Sequence, residues 1–123
     1  MNVEVINTGT ELLLGAVTNT HLTYFAHQLF PLGMRIQRQV TVPDGDAIRE
    51  AILDAARRAE IILVTGGLGP TTDDLTRDIT AEVLGRPLRV DPAVLEAIRK
   101  RFADRGLVMT ERNKRQAEVP EGG

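Results

Sequence analysis

Apolar positions along the chain follow two different periods. Val3, Val5 and Ile6 form a short apolar run of the kind found in buried strands, and Ile61–Val64 is apolar at four consecutive positions. A more polar run, Met34–Val42, predicts a strand with one wetter face near a sheet edge. Elsewhere apolar residues recur every three or four positions, which is the spacing of amphipathic helices. Strands and helices therefore alternate along the chain.

Turn and capping residues set the limits of the helices. Asn19 or Thr18 is a good N-cap for the first, Asp44 or Asp46 for the second, and Asp91 precedes a proline at the first helical position. Glycine or proline follows the ends of the first, third and fourth helices. The helical segments are Leu22–Phe30, Ala47–Ala59, Leu75–Val83, Pro92–Gly106 and Thr110–Ala117.

The order of elements predicts the fold class. Strands separated by helices favour an α/β fold, a three-layer α/β/α sandwich with a mostly parallel sheet and right-handed crossovers. At 123 residues the chain has the length of one domain, spanning 1–123. The turn residues Pro120–Gly123 suggest that a further strand follows, so we expect a C-terminally incomplete fragment of a longer domain or protein.

Composition narrows the range of partners. Formal net charge is −2, so neither a nucleic acid nor a membrane surface is an expected partner. The chain has no cysteine, which leaves any metal to oxygen or histidine ligands. The N-terminal residues lack a basic segment followed by a long apolar run, so we expect a cytoplasmic protein.

The most informative stretch is Ile61–Asp74, a predicted strand, glycine loop and helix start. Function in parallel sheets lies beyond the carboxyl ends of the strands. Gly66, Gly67 and Gly69 lack β-carbons, so a ligand could approach their backbone N–H groups, and a helix N-terminus favours phosphate. The stretch therefore predicts a phosphate-binding loop.

Acidic and hydroxyl side chains accompany this loop. Asp73 and Asp74 are either Mg²⁺ ligands or helix caps, and their spacing favours neither. If the first and third strands are parallel neighbours, Glu11 comes close to both aspartates. Such a site would suit a metal-bound phosphoanhydride. The nearby residues that would line it are Thr8, Gly9, Thr10, Thr71 and Thr72.

Several common sites are excluded. No P-loop motif is present, and the glycine pattern after the third strand does not match a dinucleotide-binding fingerprint. The chain has no serine, so a serine nucleophile is absent and any hydrolysis would use water. His21 and His27 are six residues apart and do not share a helix face, so both are interpreted as structural.

Longer motifs carry a family resemblance. The segment Thr65–Thr76, with Gly9–Gly15 and Thr18–Asn19, resembles the N-terminal domain of the competence/damage-inducible CinA family. That domain belongs to the wider molybdopterin-binding family, which includes the MoaB and MogA proteins. The similarity continues through Asn113–Ala117 and Val119–Gly122. The proline and two aspartates of the longest motif favour the CinA branch.

The resemblance implies a MoaB/MogA-like fold, a homo-oligomer and a pocket for a nucleotide or pterin phosphate. For the CinA branch it implies an ADP-ribose pyrophosphatase that uses Mg²⁺ or another divalent cation such as Co²⁺. For the MogA branch it implies transfer of AMP onto molybdopterin. A C-terminal amide-cleaving (amidohydrolase) domain is common in CinA proteins. A non-catalytic oligomerisation or ligand-sensing module is the remaining hypothesis.

The resemblance also implies roles for individual residues. The three loop glycines would hold phosphate, Asp73 and Asp74 the metal or its water, and Asn19 the substrate. Against these roles, Thr71 and Asp74 match a structural capping box, and Asn19 matches an ordinary cap. Lys114 is a candidate to reach a substrate phosphate, as is Arg115. Residues Leu12–Leu14 belong either to the core or to a subunit contact.

Overall fold

The first strand, β1 (Asn2–Thr8), is the centre of a three-stranded parallel sheet in the computed structural model, which describes residues 1–123. Strand β2 (Arg35–Val42) pairs with one side of β1, and β3 (Ile61–Thr65) pairs with the other. Ile6 of β1 lies opposite Val40 and Val64. The strand positions predicted from the sequence are confirmed, including β2 at a sheet edge.

Helices α3 (Ala47–Ala55) and α4 (Thr76–Leu84) cover one face of this sheet. Their apolar residues recur at helical spacing, so each helix turns one stripe inward. The buried cluster that results joins the two helices to the centre of β1. Its members are Ile6, Ile48, Ile52, Ala55 and Ile79.

Helix α2 (His21–Leu29) covers the opposite face, which completes the three layers. Val3 and Val5 point to this face and are fully buried. No residue of α2 itself is buried, although Phe25, Ala26 and Leu29 of its predicted apolar stripe are partly covered. The short helix α1 (Thr10–Leu13) precedes α2, and a 3₁₀ turn at Phe30–Leu32 follows it.

Strand β3 is less buried than its continuous apolar sequence predicts. All five of its residues are half-buried, because β1 pairs with it on one side only. Alternate N–H and C=O groups of β3 therefore point to an edge where no other strand lies.

A two-stranded antiparallel ribbon was not predicted from the sequence. Strand β4 (Leu88–Val90) pairs with β5 (Glu118–Pro120), and of the predicted turn residues Pro120–Gly123 only Pro120 lies in this strand. Helices α5 (Pro92–Asp104) and α6 (Glu111–Lys114) lie between these strands, and α6 continues as a 3₁₀ turn to Ala117. The predicted helix positions are confirmed. No helix combines the length and the apolar character that crossing a membrane would need.

Candidate functional site

Two loops meet where β1 and β3 end, because the strands are parallel neighbours in register. Asn7 lies opposite Thr65, so Thr8–Glu11 and Gly66–Leu75 both leave the carboxyl edge of the sheet. In open α/β sheets this edge is the usual place for a ligand. A side-chain hydrogen bond joins the two strand ends, since the Thr8 hydroxyl donates to the Thr65 carbonyl at 2.9 Å.

The glycines after β3 are required by close packing within the protein. Gly66 has φ 85°, and a β-carbon there would lie 2.2 Å from the carbonyl oxygen of Thr8. A β-carbon on Gly67 (φ 62°) would lie 2.3 Å from Oγ1 of Thr76. The space that a side chain would take is thus filled by β1 and α4. The sequence predicted that these glycines allow a ligand to approach. The structure adds a second reason, because a side chain at either position would clash within the protein.

The predicted hydroxyl ligand Thr8 is turned inward. Thr8 and Thr76 are each 3% exposed, and their hydroxyl oxygens are 3.2 Å apart. Thr8 therefore ties the glycine loop to α4. Its hydroxyl is already committed to Thr65 and Thr76, so it positions the loop.

Asp74 has its own partners within the loop. Its Oδ2 accepts hydrogen bonds from the backbone N–H (2.9 Å) and the hydroxyl (2.7 Å) of Thr71. The hydrogen bond from the Thr71 hydroxyl is the main cause that lowers the pKa of Asp74 below its ordinary value. Backbone hydrogen bonds from Thr71 and Gly69 and the charge of Arg115 act in the same direction. Desolvation of the carboxyl acts in the opposite direction and is outweighed. Asp74 is thus held as a carboxylate that closes the turn.

Neither aspartate is the N-cap of α4, since that position is Leu75. The interpretation of Asp73 and Asp74 as caps is therefore wrong in its literal form, although Asp74 bonds within the preceding turn. The side chains of Asp73 and its neighbour Thr72 are exposed. Asp73 makes no side-chain hydrogen bond or ion pair, so it is the free carboxylate of this loop.

Glu11 does not complete a metal site with the two aspartates. It lies exposed in the first turn of α1, and its carboxylate folds back against Gly9, where a β-carbon would be 2.6 Å from Oε1. No group of three or more histidine, aspartate or glutamate side chains is arranged to hold a metal ion. The expected convergence of three carboxylates is absent.

Asn19 and His21 lie at the start of α2. The Asn19 Oδ1 accepts from the backbone N–H of His21 at 3.0 Å, whereas its Nδ2 is buried and has no partner. His21 Nδ1 lies 3.3 Å from the hydroxyl of Thr65, at the end of β3. The sequence predicted a structural role for His21 because six residues separate it from His27. Only the packing of α2 on the sheet reveals that it reaches the loop edge.

Two arginines near the loop have fixed partners. Arg115 donates to the Asp74 carbonyl at 3.0 Å and pairs with Asp78. Arg77 is 7% exposed and donates to the Leu68 carbonyl at 2.5 Å, while its Nη1 is buried without a partner. Desolvation, with the charge of Arg115, lowers the pKa of Arg77. No sequence signal indicates a buried arginine at this position.

The predicted phosphate contact Lys114 pairs instead with Glu111, one turn earlier, at 2.7 Å. Both side chains are exposed, so the pair is weak and does not prevent Lys114 from moving.

A pocket of about 450 Å³ lies beside β3 and reaches the glycine loop at Leu68. Its walls come from β3, α4 and β5. The lining residues include Ile62, Val64, Thr76, Arg77, Glu118 and Val119.

Comparison with known proteins is consistent with this architecture. Residues 4–119 match the family described as the probable molybdopterin binding domain. A CinA-like protein of Akkermansia muciniphila is 47% identical over 122 residues, which are 99% of this chain and 30% of that protein. The chain thus spans about 30% of the length of this curated relative.

Two solved structures, a CinA protein and a MoaB protein, also have a similar fold. CinA of Thermoplasma acidophilum is similar with a TM-score of 0.85 and 31% identity, over 98% of this chain and 71% of that one. The molybdopterin biosynthesis enzyme MoaB of Thermus thermophilus is similar with a TM-score of 0.59 and 25% identity, over 80% and 62% of the two chains.

Proposed function

Because this chain belongs to the probable molybdopterin binding domain family, with CinA-like proteins among its relatives, we propose that it binds the phosphates of a nucleotide and hydrolyses ADP-ribose. In that reaction one water adds to a phosphorus of the diphosphate, the bridging P–O bond breaks, and AMP and ribose 5-phosphate leave. The ligand would lie at the carboxyl edge of β1 and β3.

The observation that supports this proposal is the loop Gly66–Asp74 at that edge. At Gly66 and Gly67 its backbone packs against Thr8 and Thr76, so contacts within the protein position the start of the loop. A loop fixed in advance loses little conformational entropy when it binds. Backbone N–H groups at such an edge favour phosphate oxygens, as they do at the start of α4.

A divalent cation such as Mg²⁺ fits this edge only together with a substrate. The chain offers the free carboxylate of Asp73 and the remaining oxygen of Asp74, and no third acidic ligand joins them. Mg²⁺ at phosphate sites commonly takes one or two carboxylates and completes its shell with phosphate oxygens and water. When bound, the cation would neutralise charge on the diphosphate. Asp73 is the residue we propose to hold it.

The roles of the chain's own residues follow from their contacts. The bonds between Thr71 and Asp74 keep the turn closed, so Asp73, which precedes Asp74, projects from a fixed backbone. Glu11, in the first turn of α1, would have to turn away from Gly9 to orient the attacking water. Lys114 would reach the ligand only after leaving Glu111.

Turnover of ADP-ribose by the purified chain, with Mg²⁺ or Co²⁺, tests the proposal through ³¹P NMR detection of AMP. We expect Asp73→Asn to reduce the activity at least about tenfold without changing stability, because Asp73 has no partner in the fold. Asp104→Asn, at the end of α5, is the matched control and should retain full activity. Absence of turnover and of ADP-ribose binding in the unaltered chain would contradict the proposal, and full activity of Asp73→Asn would remove the metal role.

A second function, molybdopterin binding with adenylyl transfer, is supported by the description of the matched family. It predicts tight binding of a pterin phosphate and consumption of ATP, with transfer of AMP to the pterin phosphate and release of pyrophosphate. Nucleotide binding without either reaction would favour a ligand-sensing module within a longer protein.

A further inference from the structure

The hydrogen bonds around Thr65 fix the proton position on His21. Asn7 is fully buried, and its Nδ2 donates to the Val40 carbonyl at 3.5 Å, which leaves its Oδ1 as an acceptor. The Thr65 hydroxyl donates its one proton to this Oδ1 at 3.0 Å. The Thr65 oxygen can then only accept from the imidazole.

His21 must therefore donate from Nδ1 to Thr65, at 3.3 Å. In a neutral imidazole the other nitrogen, Nε2, is then an acceptor. The Phe25 ring, four residues along α2, has its centroid 6.2 Å from that of the imidazole. Nε2 itself makes no hydrogen bond, and the side chain is exposed.

The position of this acceptor matters because Thr65 immediately precedes Gly66. The ring stands beside the proposed phosphate loop, on the face of the sheet that α2 covers. The oxygens of a diphosphate at neutral pH are acceptors, so an imidazole acceptor suits a different part of the ligand. In a nucleotide the group next to the phosphate is a sugar, whose hydroxyls donate.

From this geometry we infer that His21 is a ligand-contacting residue whose Nε2 accepts a hydrogen bond from a sugar hydroxyl of the bound nucleotide, with Thr65 and Asn7 as positioning residues. This inference rests on the proposed function, because it assumes that the diphosphate occupies the glycine loop. It adds a specificity element for sugar diphosphates over simple phosphates.

Binding measurements with two ligands separate the sugar contact from the phosphate contact. ADP-ribose carries the hydroxyls, whereas inorganic pyrophosphate has no sugar. By calorimetry, His21→Phe should weaken ADP-ribose binding about tenfold, the loss expected for one hydrogen bond, and leave pyrophosphate binding within about twofold. His27→Phe, a change of the other histidine of α2, should alter neither.

Nitrogen-15 NMR of the histidine rings gives a readout that a merely structural role would not move. In the free chain we expect the Nδ1–H form of His21 and a change at Nε2 when ADP-ribose, but not pyrophosphate, is added. Thr65→Val should abolish the preference of His21 for the Nδ1–H form. Like His21→Phe, it should also weaken ADP-ribose binding.

The outcomes that would overturn each proposal are distinct. If the unaltered chain binds neither ligand, the proposed function falls and this inference with it. If ADP-ribose and pyrophosphate both bind but His21→Phe affects them equally or not at all, only the role of His21 is overturned. An Nε2–H form in the free chain would also overturn it.

Discussion

At the residue scale, the loop after β3 depends on positions where a single β-carbon has no room. Gly66 and Gly15 both have left-handed backbones, with φ 85° and 73°. A β-carbon on Gly66 would meet the Thr8 carbonyl, whereas one on Gly15 would meet nothing within 4 Å. Alanine substitutions at the two sites therefore separate the cost of a left-handed backbone from the cost of a steric clash.

We expect Gly66→Ala to lower the free energy of unfolding by about 3 kcal/mol, the sum of left-handed strain and overpacking. Gly15→Ala should cost only about 1 kcal/mol, because it carries the strain alone. Urea denaturation of both variants measures the difference. Equal losses would contradict the packing role of Gly66.

Thr71 and Asp74 give a pH-dependent prediction. The Thr71 hydroxyl stabilises the charged form and lowers the pKa of Asp74 in the folded state. Stability from this contact is therefore present above the ordinary carboxyl pKa of about 3.9 and is lost as pH falls through the lowered folded value.

Thr71→Val should accordingly reduce the free energy of unfolding by about 1 kcal/mol at neutral pH, and the deficit should shrink below about pH 4. Carbon-13 titration of the Asp74 carboxyl should show its pKa move up towards the ordinary value. A deficit that stays constant as the carboxyl is protonated would argue against this contact. Thr72→Val, at the exposed neighbour, is the control.

At the element scale, side-chain capping differs between α3 and α5, although the sequence predicts an aspartate N-cap for both. Asp91 accepts from the backbone N–H groups of Ala93 (2.9 Å) and Val94 (3.0 Å) at the start of α5. Asp46 holds the N-cap position of α3, but its side chain makes no such bond. Sequence alone assigns both the same role.

We expect Asp91→Ala to reduce the free energy of unfolding by about 1 kcal/mol, as loss of an N-cap does. Asp46→Ala should change it by no more than about 0.3 kcal/mol, since no cap bond is lost. Thermal unfolding followed by circular dichroism compares the two. A larger loss at Asp46 would reverse this assignment.

The elements were predictable where a long pattern or a strong terminal signal exists. The strand Ile61–Thr65 and the helix after Asp91 are of this kind. Strands β4 and β5 were missed because three residues are too few to display a period of two, and their pairing joins segments about 30 residues apart.

The candidate site was predictable only in its position. Parallel neighbours bring the two loops to one edge, as the order of elements predicted. Which side chains are free was not predictable, because Asp74 is used by Thr71 and Glu11 folds against Gly9. Such partners depend on loop backbone geometry, which carries no periodic signal.

At the scale of the whole molecule, exposed apolar side chains are concentrated in one part of the chain. Seven of the fifteen large ones lie between Leu13 and Leu32, so this segment is the best candidate for contact with a second copy. Leu13 and Leu14 are 53% and 77% exposed, which removes the interpretation that they belong to the core. The expected homo-oligomer remains a proposal.

We expect the chain to associate in sedimentation experiments and Leu14→Glu with Phe30→Glu to dissociate it, because both side chains are exposed and would place charge in the contact. Val108→Glu, at a residue that is 87% exposed but lies between α5 and α6, should leave association unchanged. A monomeric unaltered chain would contradict the proposal.

The central position of β1 has a consequence for how the molecule assembles during synthesis. Strand β1, which precedes β2 and β3 along the chain, pairs with both of them, and these two do not pair with each other. The ribosome must therefore release residues up to about 65 before β1 has both of its neighbours, and until then one side of this apolar strand is unpaired. A chaperone that shields nascent chains would find its natural target there.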